Sequence, residues 1–301
     1  MSHWFRPLAV LFLLFGALGA QAAPRCAGAS AAMVERIATG GAARAAAVHL
    51  PRSENLDRPV PLVLLLHGSG ASGAAMLADS RLANTADRHG FLIVAPDAGI
   101  PHDRGHVWNI PGVPTVAGTV PGPDAPDDVA YVGAMIDRLV AAGCVDPARV
   151  YTTGLSGGGR MTSWLGCVAT RRFAAIAPVV GLRAGNPLAS DPTRPDPASC
   201  RPDAPLPVVA FAGDADTTNP IRGGGAKYWS YTMHAAEMRW ATLNGCTAAP
   251  TTRWVAPKVY EERYTGCRGG ADVIGRITVD GGHSWVVDNE ALWALLSAHR
   301  R

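Results

Sequence analysis

Six short apolar runs recur along the chain, at Leu62–Leu66, Phe91–Ala95, Val150–Gly154, Ala174–Val179, Val208–Ala212 and Val273–Val279. Most are apolar throughout rather than alternating, the pattern of parallel strands buried on both faces. Segments with helical periodicity separate them, near Gly73–His89, Asp128–Ala142, Gly158–Ala169, Ser230–Asn244 and Asn289–Ala298. Asp127 or Asp128, after Pro126, is read as a helix cap. Such alternation implies an α/β fold, with a mostly parallel central sheet and helices on both faces. No Ser/Gly linker and no repeat of roughly 20–50 residues interrupts it, so residues 23–301 are read as one domain.

Composition narrows the function classes. With 48% hydrophobic and 17% charged residues among 301, the chain has enough apolar side chain to exclude a disordered or fibrous protein. Its formal net charge is +3, and its 27 basic residues, only two of them lysines (Lys227 and Lys258), are spread among 24 acids. No basic run marks a nucleic-acid surface. At the start, Arg6 precedes an apolar run from Leu8 to Leu18 and then Ala20-Gln21-Ala22, which reads as a secretory signal over residues 1–22. That run is shorter than the roughly 20 residues a membrane span needs, so no stable membrane insertion is expected after cleavage. The expected location is extracellular or periplasmic. Cys26, Cys144, Cys167, Cys200, Cys246 and Cys267 form an even set without a Cys-x-x-Cys pair, which favours disulfides over zinc or thioredoxin-like chemistry. Two Pro/Gly-rich stretches, Ile110–Pro126 and Asn186–Pro207, are long for connections and are candidates for a binding surface.

The sharpest chemical feature is Gly154-Leu155-Ser156-Gly157-Gly158, directly after one strand candidate and before a helix. In that context a Gly-x-Ser-x-Gly turn lifts the serine hydroxyl out of the sheet edge as a nucleophile. A serine needs a base, and the base needs an acid to orient it. Of the later histidines, His234 and His299 lie in helical stretches and read as packed or surface residues. His283 follows a strand in Asp280-Gly281-Gly282-His283-Ser284-Trp285 and is the expected base. The acid should follow Val208–Ala212, where Asp214 and Asp216 stand two residues apart. Spacing does not choose between them. Oxyanion donors are expected from the N–H of Gly157 and from Ser69, in the loop His67-Gly68-Ser69-Gly70, with His67 holding that loop. Trp108, Trp285, Trp229 and Tyr228 are candidate walls for a substrate or else core packing, and Trp229 is read as core. No metal and no cofactor is implied.

Together, Leu65-Leu66-His67-Gly68, Asp127-Asp128-Val129, the serine turn, Gly213-x-x-Asp216 and Gly282-His283-Ser284-Trp285 resemble one family. They look like the secreted α/β-hydrolase esterases that unite polyhydroxybutyrate depolymerases with feruloyl and acetyl-xylan esterases of carbohydrate esterase family 1. The resemblance implies Asp216 as the acid, at the fifth position of the family's His-Gly-x-x-Asp, although Ala212 replaces its histidine. It also implies the pairings Cys26–Cys144, Cys167–Cys200 and Cys246–Cys267. Two further departures are Ser69-Gly70-Ala71-Ser72, where members often carry Cys or Gly and then Gln, and Val286 in place of a proline after Trp285. The implied activity is ester hydrolysis through an acyl-enzyme, on polyester oligomers or on phenolic esters and esterified plant polysaccharides. With no room after the last motif for an adsorption domain, soluble substrates are expected over solid polyester. Acyl transfer by the same triad and a non-catalytic exported binding protein are the alternatives.

Overall fold

The computed structural model describes residues 29–52, 58–226 and 228–301, together with Met1. The expected leader, save Met1, and Cys26 lie outside the described residues. In chain order the elements are α1 (Ala31–Thr39), β1 (Ala46–His49), β2 (Val60–Leu66), α2 (Gly73–Ser80), α3 (Leu82–His89), β3 (Leu92–Pro96), β4 (Ile100–His102), β5 (Gly105–Val107), α4 (Asp128–Ala141) and β6 (Val145–Leu155). There follow α5 (Gly157–Val168), β7 (Ala175–Val179), β8 (Pro187–Leu188), β9 (Asp191–Pro195), β10 (Val208–Gly213), α6 (Met233–Asn244), β11 (Thr251–Ala256), β12 (Val259–Tyr264), β13 (Val273–Thr278) and α7 (Asn289–Ser297).

Nine strands form one sheet in the order β1-β3-β2-β6-β7-β10-β13-β12-β11. From β3 to β13 every neighbouring pair is parallel, while β1, β12 and β11 join antiparallel at the edges. All six predicted runs are therefore the parallel strands. Alternation along β2 explains their unbroken apolarity: Leu62, Leu64 and Leu66 enter one core layer with α4, α5 and α6, and Val63 and Leu65 enter the other with α2, α3 and α7. Each such leucine contributes about 1.5–3 kcal/mol by leaving water.

Several expectations need correction. The predicted helix Gly73–His89 is two helices, broken at Arg81, which takes φ 53°. The Ser80 hydroxyl donates to Leu77 O and accepts from Leu82 N–H, giving the backbone local partners that compete with helix. Of the two cap candidates, Asp127 caps α4 by accepting from Ala130 N–H. Asp128 is instead buried, ion-paired to Arg44 at 2.6 Å. The stretch 186–207 is not a plain loop, since it holds the β8–β9 hairpin. Cys167–Cys200 and Cys246–Cys267 are bonded as the resemblance implied; the third expected pair, Cys26–Cys144, falls outside the described residues with Cys26. Among the described residues no helix is long and apolar enough to cross a membrane.

Candidate active site

The parallel strands deliver their following loops to one edge of the sheet, the carboxyl edge at which open α/β sheets bind ligands. β6 ends at Leu155 and Ser156 follows at φ 55°, ψ −110°, a strained conformation for a non-glycine residue. Its N–H donates to Val179 O at 3.0 Å, which fixes the bend against β7. The glycines around it are forced by crowding. A Cβ on Gly154 would stand 2.6 Å from Leu66 O, and one on Gly158 only 2.1 Å from the same oxygen. α5 can thus start directly above β2 only if both lack side chains.

His283 spans the gap between two strand-end loops. Its Nε2 lies 2.8 Å from Ser156 Oγ and its Nδ1 2.8 Å from Asp216 Oδ2. Asp216 is 3% exposed, and its Oδ1 accepts from the N–H groups of Thr218 and Asn219, each at 2.8 Å. The carboxylate is held from one side and faces the imidazole with the other. Asp214 has a different partner: its Oδ1 accepts from Asp280 N–H at 2.7 Å. Asp280 sits at φ 60° in the loop carrying His283, so Asp214 laces the two loops together. Of the two aspartates, Asp216 is the one that meets the His283 ring.

Opposite the serine, the loop after β2 brings Ser69 against the start of α5. A Cβ on Gly157 would meet Ser69 N at 2.9 Å and Ser69 Oγ at 2.4 Å, so these two residues are in close approach. The β4–β5 hairpin, not anticipated from sequence, braces this loop. His106 O accepts from Gly70 N–H, and His106 N–H donates to Ala71 O. His67 is fully buried. Its Nε2 accepts from Ala98 N–H and its Nδ1 donates to Gly68 O, and burial holds its pKa below the usual imidazole value. It fixes the loop and stays away from the Ser156 hydroxyl, as expected.

The two candidate tryptophan walls are mainly structural. Trp108 is 5% exposed, packs on the His67 ring with centroids 5.0 Å apart, and donates its N–H to His67 O. One edge still borders the cavity beside Ser69 and Gly157. Trp285 donates to Asn289 Oδ1, and Asn289 in turn donates to Ser80 O. It ties the His283 loop to the start of α7 and packs against the second core layer. Trp229 is buried with its N–H on Pro220 O, a core residue as read. His234 lies with Glu237 and Glu262 near α6, and His299 is half-buried at the chain end. The stretch Ile110–Pro126 lines the cleft through Ile110, Val113, Pro114 and Thr115. Arg160, which no motif pointed to, reaches Ser69 Oγ with Nη2 at 3.3 Å. Its position four residues after Ser156 was the available clue, because i and i+4 share a helix face.

Known proteins resemble this chain in sequence and in fold. Residues 44–191 match the family described as Esterase PHB depolymerase. Feruloyl esterase B of Piromyces equi is 29% identical over 252 residues, 82% of this chain and 43% of that protein. Poly(3-hydroxybutyrate) depolymerase of Ralstonia pickettii is 34% identical over 137 residues, covering 42% of this chain and 25% of the depolymerase. The chain thus spans less than half the length of either curated relative. Among solved structures, acetyl xylan esterase from Aspergillus awamori superposes with a TM-score of 0.61 at 15% identity, covering 85% of this chain and 94% of that one. The fold is that of the α/β-hydrolases.

Proposed function

We propose that this chain is a serine carboxylic-ester hydrolase that works through an acyl-enzyme, built as one domain over residues 23–301 and exported to an oxidising compartment. One observation carries the chemistry: His283 stands 2.8 Å from both Ser156 Oγ and Asp216 Oδ2, with Ser69 and Gly157 closing on the other side. Ser156 Oγ attacks the ester carbonyl carbon while its proton passes to His283 Nε2. Asp216 stays ionised, accepts the Nδ1–H and stabilises the imidazolium. The carbonyl oxygen, now an oxyanion, is held by the Gly157 and Ser69 N–H groups, an effect for which a single donor is worth about 100- to 1000-fold in rate. His283 then gives its proton to the departing alcohol, and water repeats the sequence on the acyl-enzyme. Nucleophile, base and acid all come from the chain, so the steps call for no metal or cofactor.

Export is supported by the two local disulfides, Cys167–Cys200 and Cys246–Cys267. The substrate classes suggested by the relatives' names are feruloyl esters and hydroxybutyrate oligomers. Ser156→Ala should lower turnover of 4-nitrophenyl butyrate roughly ten-thousand-fold or more and abolish labelling by a fluorophosphonate probe. A variant that keeps wild-type turnover overturns the assignment.

A further inference from the structure

Beyond the oxyanion loop, the cleft is walled by two arginines. Arg160 stands on α5 one turn after Ser156, its guanidinium 4.1 Å from the centre of the Tyr228 ring. Arg183, after β7, lies 3.6 Å from the Tyr231 ring and 5.1 Å from that of Trp229. They are only 6% and 7% exposed. Both border a small pocket shared with Ile110, Val113, Trp164 and Tyr228. A second small pocket reaches Ser69, Trp108 and Gly157. Ile110, Val113 and Arg160 line both, so the space at the arginines runs on toward the reacting centre.

The charge of this pocket is not balanced. Among the described residues neither arginine has a carboxylate partner; the charges acting on Arg160 are those of Tyr228 and Arg183, and the one acting on Arg183 is that of Tyr231. Arg160 Nε and Arg183 Nη1 are buried donors without an acceptor. Elsewhere in the molecule arginines meet acids, as in Arg44 with Asp128, Arg172 with Asp137 and Arg276 with Glu261. Burial and the neighbouring Arg183 pull Arg160 down to about 10, which leaves it charged at neutral pH. The aromatic faces steady both guanidinium planes and offer no acceptor for their N–H edges.

We propose that the Arg160–Arg183 pocket is an anion subsite that takes a free carboxylate carried by the ester substrate, away from the bond that is cleaved. This rests on the esterase reading above. The substrate class is then acidic esters, such as half-esters of dicarboxylic acids. A planar carboxylate matches the guanidinium fork.

The test compares matched esters that differ only in whether the second carboxyl is free or capped as an amide. Mono-4-nitrophenyl glutarate and its glutaramide counterpart place the charge on the acyl side. 4-Acetoxybutanoate and 4-acetoxybutanamide place it on the alcohol side. In one of these pairs the wild-type enzyme should favour the acid roughly 10- to 100-fold in kcat/KM, the range of a hydrogen bond to a charged group. Arg160→Met and Arg183→Met should each bring that ratio toward one. Should a variant fail to fold, glutarate should still inhibit wild-type turnover of a neutral ester competitively, glutaramide should not, and added salt should weaken the inhibition. Equal turnover within both pairs, with no inhibition by glutarate while neutral esters are hydrolysed, overturns the subsite and spares the esterase reading. Phosphate inhibiting more strongly than glutarate overturns the carboxylate. If no ester is turned over and no probe labels Ser156, the esterase reading fails by itself, and calorimetric titration of glutarate against glutaramide decides the pocket.

Discussion

The arginine wall of the cleft and the seam between α6 and β12 both bury charge-bearing groups, and they resolve the cost in opposite ways. At the seam, Glu237 is 1% exposed and its carboxyl lies over Gly275, where a Cβ would stand 1.8 Å from Oε1. Burial, the charge of Glu262 and a hydrogen bond to Glu262 push its carboxyl well above the ordinary carboxylate range. Glu237 therefore sheds its charge by holding a proton. A guanidinium has no such exit near neutral pH. Arg160 and Arg183 keep their charge, resting on aromatic faces with donors unspent. A buried acid can become content alone, whereas a buried arginine without an acid is held ready for one.

Asp128 provides the third arrangement, a buried group that is paired. Its side chain is fully buried, accepts from Arg44 at 2.6 Å and from Asn109 N–H at 2.8 Å. Burial raises this carboxyl although both partners favour its charged form. Asp128→Ala strands Arg44 and an amide N–H together, and should cost about 3 kcal/mol in urea unfolding; a loss below about 1 kcal/mol would show that the pair carries little. Arg160→Met sharpens the contrast, because no carboxylate is left behind. Its stability should stay within about 1 kcal/mol of wild type, the lost cation–π contact being offset by relief of buried charge. A loss as large as that of Asp128→Ala would make Arg160 a structural residue and break the comparison.

These differences mark where sequence reading succeeds. The parallel strands were legible because burial on both faces imposes unbroken apolar runs, and Ser156 and His283 because their glycine-rich turns must follow such strands. The β11–β12 hairpin was not, since Thr251–Ala256 is a largely exposed edge strand with no core-facing stripe. The break at Arg81 depends on one serine hydroxyl competing with the helix. Aromatic type alone could not tell that Trp108 and Trp285 spend their N–H groups on His67 O and Asn289. The arginine wall was least legible. An arginine in sequence reads as surface, and the rings that bury these two, Tyr228, Trp229 and Tyr231, arrive from more than 40 residues away.

The smallest expected effect tests the acid side of the comparison through pH. In the unfolded chain Glu237 ionises near 4.5, and in the folded protein only well above that. Between the two values the folded state binds the extra proton, so this residue's contribution to stability is complete below about pH 4.5 and is lost as pH rises through the folded value. Glu237→Gln keeps a neutral donor that can still reach Glu262 and has nothing to titrate. The variant should match wild type near pH 4.5 and gain on it steadily toward pH 8, by on the order of 1 kcal/mol. That is less than the full linkage slope, because His234 and Glu262 face the same carboxyl and their charges bear on it. Urea midpoints at pH 4.5, 6 and 8 measure it. Parallel profiles for the two proteins would mean that Glu237 is ionised when folded, and that the seam, like the cleft wall, holds its charge.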